Sequence, residues 1–465
     1  MKKTLAALAI FSGAALSANA AMLKVSDQTF ANFGLKLQIY GQALEDAATY
    51  NGDYKNAIDF TIQNARVYFS GQLNPIVQFG ANLDFTVTGA NTSHEGTSTT
   101  KVRDAFINFR FMPELNVMAG YYRLPFSRET LTGRYDRIFM PQDGWVNLNN
   151  GVYKDQILPT LQIATGNYQA VHLTAANVLG GPSLGNAVAI TGTTDEADFA
   201  RDAGVTVWGD ILGGMVKYYV GVYDGFGDHN AAEVVNGGGK DNLGYAFRVQ
   251  FTPTMLGFQP EKGYLLSETY LGQKNTLSFG LGYAASKLDV APGASFNFKS
   301  WTLDANWEQK LSQFGLPLVP KVELGYVYTD GDNLPLQTGQ NITIGNTPVP
   351  SGTYIGKLDS VKTYYITLGT LFDQQIWLGK LGVYLKYQKT TVKLTEVPAA
   401  VQQLVGSKIK PSVWSVAIPY YLAGQNAKIV LQYNKYNYDI NGFDPRNTNN
   451  DDSNSDWTLA FQVQF

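Results

Sequence analysis

The sequence predicts an all-β fold, a transmembrane antiparallel β-barrel of 16 strands. Three observations lead to this prediction. Apolar and polar residues alternate with a period of two in sixteen separate stretches, which is the pattern of strands with one face away from water. The connections between these stretches alternate between short turns and long polar loops. The composition combines 47 Gly, 28 Tyr and 25 Phe with no run of 18 apolar residues, so helical membrane spans are not expected.

The chain of 465 residues starts with the features of an export signal. Lys2 and Lys3 precede an apolar run over residues 5–16, which is too short to span a bilayer. Ala18-Asn19-Ala20 then has the small-x-small form of a cleavage site. We therefore expect a signal peptide over residues 1–20, a short periplasmic segment over 21–33 and one barrel domain over 34–465.

Composition excludes several other classes of protein. There is no cysteine, which removes disulfides and thiolate metal sites. The net charge of −3 gives no basic excess for nucleic acid. His94, His172 and His229 are the only histidines, and none lies in a nucleophile motif or at metal-ligand spacing. We expect no enzyme activity, no metal and no cofactor.

The even number of predicted strands is the number that single-chain bacterial outer-membrane barrels have. One connection breaks the alternation of short and long: residues 253–274 are long where a short turn is expected. Residues 263–271 inside it could extend a strand or form a hairpin, which would make 18 strands. The sixteen predicted strands are residues 34–43, 61–73, 76–88, 102–112, 115–122, 201–211, 215–223, 243–252, 275–287, 299–310, 320–329, 361–372, 380–391, 412–421, 427–438 and 456–465.

The two faces of each predicted strand differ sharply. In one strand Trp301 and Leu303 face one way while Thr302 and Asp304 face the other. In a barrel of sixteen strands the apolar face meets lipid and the polar face lines water. A soluble β-sandwich would show the same alternation. It would not explain the ordered loop lengths, the tyrosines near strand ends or the aromatic final strand that closes on Phe465.

The connection over residues 123–200 is far longer than ordinary connections between strands. It follows the fifth strand and is therefore the third outer loop, which we expect to fold into the lumen as a constriction. Arginines that could give the pore a preference for anions are concentrated there and on the neighbouring wall. Alternatively, these arginines pair with Glu129, Asp136 and wall acids and only hold the loop. The candidate residues are Arg123, Arg128, Arg134 and Arg137 in the loop, with Arg66 and Arg110 on the wall.

Two groups of motif residues resemble those of a known family. The first contains Arg103-Asp104-Ala105-Phe106 and, after a turn, a Gly-ended strand that leads into Pro125-Phe126-Ser127. The second contains Arg201-Asp202-Ala203-Gly204 and the hairpin that continues through residues 219–225. Together with a weaker echo at residues 270–280, these stretches resemble the phosphate-selective porin O/P family of outer-membrane channels.

The resemblance implies a trimeric, passive diffusion channel in the outer membrane of a Gram-negative cell, embedded in lipid, whose third outer loop folds into the lumen. The family's anion-binding lysine cluster cannot be aligned with the long connection, because residues 123–200 contain only Lys154. We expect a channel for small hydrophilic solutes with a mild preference for anions such as phosphate or carboxylates. A general or carbohydrate-selective porin is the alternative, since aromatic loop residues could stack on sugars, namely Tyr135, Phe139, Trp145, Tyr153 and Tyr168. A secreted soluble β protein is a more distant alternative.

Overall fold

The structure of the chain is a computed structural model. The predicted signal peptide, most of residues 141–200 and all three histidines lie outside the residues it describes. Those residues are 21–48, 54–88, 97–140, 173–175, 201–224, 243–291, 294–338, 342–344, 347–349, 353–410, 412–437 and 453–465.

Sixteen antiparallel strands form one closed barrel, which confirms the predicted fold class and each of the sixteen predicted strands. Every strand pairs with the next one along the chain, and the last pairs with the first through partners such as Val463 and Leu37. Closure leaves no unpaired sheet edge. The strands are β1 Phe30–Ala48, β2 Tyr54–Gln72, β3 Val77–Thr88, β4 Thr97–Met112, β5 Leu115–Arg123, β6 Arg201–Ile211, β7 Val216–Tyr223, β8 Gly244–Phe251, β9 Thr276–Ala291, β10 Ala294–Glu308, β11 Leu318–Thr338, β12 Tyr354–Phe372, β13 Lys380–Thr395, β14 Ser412–Tyr421, β15 Ala427–Asn437 and β16 Ser453–Gln464.

The remaining described elements are small and lie outside the sixteen barrel strands. None of the described helices has the length and apolar character needed to cross a bilayer. Short strands are Ala21–Lys24, Leu173–Ala175, Ile342–Ile344, Thr347–Val349 and Lys408–Ile409. The α-helices are α1 Arg128–Leu131 and α2 Ala399–Val405, and the 3₁₀ turns are Arg134–Asp136, Leu212–Gly214, Thr254–Leu256 and Ser312–Phe314.

The faces of the strands sort as the sequence predicts. On β10, Leu303 is 50% exposed, whereas Thr302 and Asp304 beside it are 1% and 7% exposed. Trp301 on the outward face packs against Tyr326 of the next strand with ring centres 5.0 Å apart. The apolar face therefore points out of the barrel and the polar face points in.

Several strands run further into the long loops than the sequence predicts. β11 continues to Thr338 instead of 329, and β12 starts at Tyr354 instead of 361. Beyond the lipid both faces of a hairpin meet water, so no apolar face is required and the period-two signal disappears. Strand ends at this long-loop end cannot be read from alternation alone.

The alternative of 18 strands is wrong, because residues 263–271 form no strand. After the turn Thr254–Leu256, the chain runs irregularly into the barrel from the short-turn end. Its Leu266 amide bonds to the carbonyl oxygen of Leu131, in the long connection, at 3.0 Å instead of to a neighbouring strand. We call residues 253–275 the inner turn, and residues 124–140 of the long connection the inner loop.

Candidate functional site

The inner loop starts with a well-capped helical turn. The Ser127 hydroxyl accepts a hydrogen bond from the Thr130 amide at 3.0 Å, and the Thr130 hydroxyl accepts one from the Ser127 amide at 2.9 Å. This reciprocal capping box begins α1. All four residues of α1 are at most 3% exposed, so the turn is enclosed by the protein.

A charge pair on the wall holds the start of the inner loop. Arg248 on β8 and Asp304 on β10 form two hydrogen bonds, 2.6 and 2.8 Å long. Arg248 also donates to the carbonyl oxygen of Phe126 at 3.2 Å, and Asp304 accepts a bond from the Arg128 amide at 3.2 Å. A carboxylate at the start of a helical turn stabilises the turn, because it interacts favourably with the exposed amide groups there. The Pro-Phe-Ser motif is thus the point at which the loop is fixed to the wall.

Arg128 is completely buried and lies between two acids. Its guanidinium donates to both carboxylate oxygens of Glu261, at 2.6 and 2.9 Å, and to Glu323 on β11 at 3.4 Å. It also donates to the carbonyl oxygen of Ser267 at 2.6 Å. Because its charge is balanced within the protein, Arg128 fastens the loop and presents no open positive charge to a solute.

Glu129 connects the inner loop to β13. Its carboxylate accepts hydrogen bonds from Arg137 of the loop and, at 2.8 Å, from Lys386 on β13. Burial by itself raises the pKa of Glu129, but attraction by Lys386 and Arg137 outweighs burial and holds the pKa well below its usual range. Glu129 is therefore ionised at neutral pH, and it ties two cations to the loop.

The end of the inner loop reaches strands on the far side of the barrel. Arg134 donates to the side-chain oxygen of Gln38 on β1 at 3.0 Å. The Lys428 ammonium on β15 donates to the carbonyl oxygens of Tyr135, at 3.3 Å, and Arg137. Since its contacts run from β8–β11 round to β15 and β1, the inner loop crosses the interior of the barrel.

A second network lies on the wall formed by β2 to β6. Asp84 on β3 accepts hydrogen bonds from Arg66 at 2.9 Å and from Arg103 at 3.1 Å. Arg201 on β6 makes two bonds to Asp104 on β4, 2.8 and 3.2 Å long. The aspartate of the first Arg-Asp-Ala motif thus pairs with the arginine of the second.

Five of the six candidate arginines lie in the inner loop or contact it. Arg66 lies 5.8 Å from the centre of the Tyr135 ring in the inner loop. Arg110 is separate: it lies on β4 near the short-turn end, where Asp210 is the acid that attracts it. The four arginines of the long connection are buried: Arg123, Arg128, Arg134 and Arg137.

Asp136 in the inner loop has a raised pKa. Burial is the main cause, because a carboxylate loses its hydration inside the protein. Attraction by four cations works in the opposite direction and does not overcome burial; these are Lys36 on β1, Lys428 on β15, Arg123 and Arg137. Asp136 therefore takes up a proton at a higher pH than an ordinary aspartate.

Glu268 in the inner turn also has a raised pKa, again mainly because it is buried. Lys386 and Arg137 attract its charged form, whereas Glu323 and Glu129 repel it. One carboxylate oxygen of Glu268 accepts a bond from the amide of Ile138 at 2.6 Å. Protonation of Glu268 and of Asp136 on acidification would remove negative charge from the centre of the barrel.

Sequence reasoning missed five charged residues of this site. Three of them are ordinary wall positions, and nothing near them in the sequence marks them as partners of the loop: Lys36, Lys386 and Lys428. Glu261 and Glu268 stand in the connection whose length breaks the alternation of short and long. That break was the available signal, and it indicates a second chain segment inside the barrel.

Comparison with known proteins gives a consistent result. The family model for phosphate-selective porin O and P matches residues 33–284, which is more than half of the chain. No curated protein matches the chain. Similar solved structures include the outer membrane channel DcaP of Acinetobacter baumannii, with 12% identity, 95% of this chain and 99% of that chain covered, and a TM-score of 0.46. The outer membrane protein OmpT of Vibrio cholerae shows 11% identity, 96% and 100% coverage and a TM-score of 0.47. An anion-selective porin from Comamonas acidovorans shows 12% identity, 94% and 100% coverage and a TM-score of 0.48.

Proposed function

Because the chain belongs to the phosphate-selective porin O and P family, we propose that this outer-membrane diffusion channel passes small anions in preference to cations. In barrels of this class the long loops face the outside and the short turns face the periplasm. The inner loop, which begins just after β5, is then the constriction that a solute from outside must pass. Carboxylates and phosphate are the anion classes that arginine and lysine attract best.

The charge balance at the far end of the inner loop carries the proposal. Four acids lie in this region: Glu129, Asp136, Glu268 and Glu323. Six cations lie around them, so positive charges exceed negative ones by two even when every acid is ionised. Positive residues that line a pore favour anions. The six cations are Lys36, Arg123, Arg134, Arg137, Lys386 and Lys428.

Two of these cations also contact uncharged groups. Lys428 donates to two carbonyl oxygens of the inner loop and to the side-chain oxygen of Gln425 at 2.9 Å. Lys36 lies over the rings of Tyr68 and Tyr135, 5.0 and 5.2 Å from their centres. A ring face or a carbonyl oxygen stabilises a cation without cancelling its charge. These cations therefore contribute positive potential to the lumen.

The aromatic residues of the inner loop favour an anion channel over a sugar channel. Tyr135 is 2% exposed and Phe139 is 7% exposed, because both pack against other side chains. A sugar-binding track needs open ring faces, which these two rings do not offer. The other candidates for such a track, Trp145, Tyr153 and Tyr168, lie outside the described residues. Liposome swelling rates with neutral sugars and with organic anions of similar size separate the two functions.

The reversal potential of the reconstituted channel under a KCl gradient tests the proposal. The wild-type protein should show a mild preference for chloride. Lys36→Gln should lower the chloride-to-potassium permeability ratio by roughly twofold, since it removes one of two excess charges. Lys24→Gln is the matched control, because Lys24 lies on an exposed segment and pairs with Asp27. A wild-type preference for potassium, or equal ratios for both variants, contradicts the proposal.

The anion preference should also increase as the pH falls. Asp136 and Glu268 have raised pKa values, so they become neutral before ordinary carboxyl groups do, while Glu129 stays ionised. Each proton taken up makes the lumen more positive. Reversal potentials measured from neutral pH downwards should show the increase above the pH range in which ordinary carboxyl groups titrate. In Glu268→Gln the pH-dependent increase should be smaller; an unchanged pH profile would count against this assignment.

We also propose that the channel is a homotrimer in outer-membrane lipid. The outward face of β2 to β5 carries small side chains on adjacent strands, including Ala65, Ala81, Ala105 and Ala119, and Ala81 and Ala105 are register partners. Small side chains let the wall of a second barrel approach closely in a membrane. The mass of the detergent-extracted protein tests this assembly, and a monomer mass would contradict it.

A further inference from the structure

The inner turn enters the barrel although it belongs to the end where connections are short. Its residues are as buried as those of a protein core: Glu261 is 1% exposed, Tyr264 4%, Leu266 0% and Glu268 4%. A turn that only joined β8 to β9 would not need this path. The path brings the inner turn, which comes from the periplasmic end, into contact with the inner loop, which comes from the outer end.

The two segments are joined through their main chains. Thr132 and Leu266 form a parallel β-bridge, with the Leu266 amide bonded to the Leu131 carbonyl oxygen at 3.0 Å. The Glu268 amide bonds to the carbonyl oxygen of Asp136 at 3.3 Å. Buried amide and carbonyl groups need partners. The inner loop supplies these hydrogen-bond partners to the irregular chain of the inner turn, so the two segments stabilise each other.

Glu261 adds a buried charge to this junction. One oxygen accepts hydrogen bonds from Arg128 at 2.6 Å and from the Tyr270 hydroxyl at 2.7 Å. The other accepts bonds from Arg128 at 2.9 Å and from Gln250 and Ser278 at 2.8 Å each. Burial opposes the charged form, but attraction by Arg128 and these bonds outweigh burial and keep the pKa of Glu261 well below its usual range. These bonds hold the Glu261 carboxylate ionised and oriented to bind the Arg128 guanidinium.

The inner turn is itself fixed to the wall by packed aromatic rings. The Tyr264 ring lies edge-on to Tyr219, Trp208 and Tyr122, with ring centres 5.3, 5.6 and 5.7 Å away. Its hydroxyl donates to the carbonyl oxygen of Arg123, where the inner loop begins, at 2.7 Å. Such edge-to-face contacts stabilise beyond the area they bury. The inner turn is therefore packed firmly against the wall and can support the inner loop.

We propose that the inner turn is the seat that holds the constriction in its conducting position, and that Glu261 is its positioning residue. The inference rests on the proposed role of the inner loop as the constriction. Without the seat, Arg128 would lose its bidentate partner and the loop its main-chain contacts at Leu131 and Asp136. The pore size of an outer-membrane channel would then be set by a residue that comes from its periplasmic end.

The first test is Glu261→Gln, which keeps the shape of the side chain and removes its charge. The inner loop should loosen, so that single-channel conductance rises roughly twofold and current fluctuations increase. Glu114→Gln is the matched control, because Glu114 is an exposed acid on another short turn. Retention of the heat-dependent shift in gel mobility shows that the barrel still folds. Conductance and fluctuations equal to those of the wild type would overturn the proposal.

A cross-link tests the same contact without relying on loss of function. The chain has no cysteine, so Thr132→Cys with Leu266→Cys introduces one possible intramolecular pair. Partners in a β-bridge lie about 5 Å apart, which suits a disulfide. The disulfide should form on oxidative refolding, and in the Glu261→Gln background it should restore wild-type conductance. Failure of the pair to cross-link, or no restoration, would refute the seat. A wild-type channel without anion preference would refute the proposed function alone.

Discussion

Replacing Arg128 by methionine should release the inner loop and produce a wider channel. Methionine fills much of the space of the arginine stem but leaves Glu261 and Glu323 buried without their shared cation. Removing one partner of a buried ion pair costs about 3–5 kcal/mol. The free energy that fastens the loop to the barrel should fall by this order, and single-channel conductance should rise by at least about twofold.

The matched control for this variant is Arg110→Met. Arg110 also faces the barrel interior and was an equal candidate in the sequence, but it lies near the short-turn end with Asp210. It should leave conductance close to the wild-type value. If Arg110→Met and Arg128→Met change conductance equally, or if neither does, the assignment of Arg128 as the fastening residue is wrong. Thermal unfolding of both variants separates a loosened loop from a destabilised barrel.

The wall of the barrel could be predicted because its signal is local. A strand between lipid and water must alternate, and each residue reports its own face. Leu303 and Asp304 show this directly, one exposed to the outside and the other buried inside. The same logic fails where both faces meet water, and for that reason the predicted end of β11 comes too early and the predicted start of β12 too late.

The interior could be predicted only in part because its contacts are not local. Arg128 meets Glu261 and Glu323, which are 133 and 195 residues away in the chain. Nothing in the sequence beside Arg128 indicates these partners, since the nearest acid is Glu129, and Glu129 bonds instead to Arg137 and Lys386. Composition could identify a group of arginines, but it could not tell a fastening arginine from one that shapes the lumen potential.

The candidate arginines and the wall lysines differ in their contacts. The sequence allows two roles for these arginines: they attract anions, or they pair with acids and hold the loop. Arg128 pairs with Glu261 and Glu323, so its contacts are those of an arginine that holds the loop. Lys36 and Lys428, which the sequence did not single out, attract Asp136 and also contact ring faces and neutral oxygens. The proposed anion preference therefore depends on wall lysines around the loop more than on Arg128.

Two glycines of β9 make room for the contact between wall and loop. A Cβ atom at Gly280 would lie 2.4 Å from a carboxylate oxygen of Asp304, and one at Gly282 would lie 2.1 Å from the carbonyl oxygen of Phe126. The second contact matters more, because a backbone oxygen cannot swing away as a side chain can. Gly282 is thus required by the close approach of the inner loop to the wall.

Gly282→Ala should displace the start of the inner loop. The Phe126 carbonyl must move by about 1 Å to reach ordinary contact distance. This breaks its 3.2 Å bond from Arg248 and strains the bond between the Arg128 amide and Asp304. Overpacking of this kind costs about 1–3 kcal/mol. The midpoint of thermal unfolding should fall, and conductance should change in the same direction as in Arg128→Met.

Gly41→Ala provides the comparison for Gly282→Ala. A Cβ atom at Gly41 would lie 2.9 Å from the ring of Phe60, a side chain that is 78% exposed and not backbone. The new methyl group there should leave both the unfolding midpoint and the conductance near wild type. Because both substitutions add one methyl group to a wall strand, any difference between them measures the loop contact. Equal unfolding midpoints and equal conductances would mean that the inner loop does not press against β9.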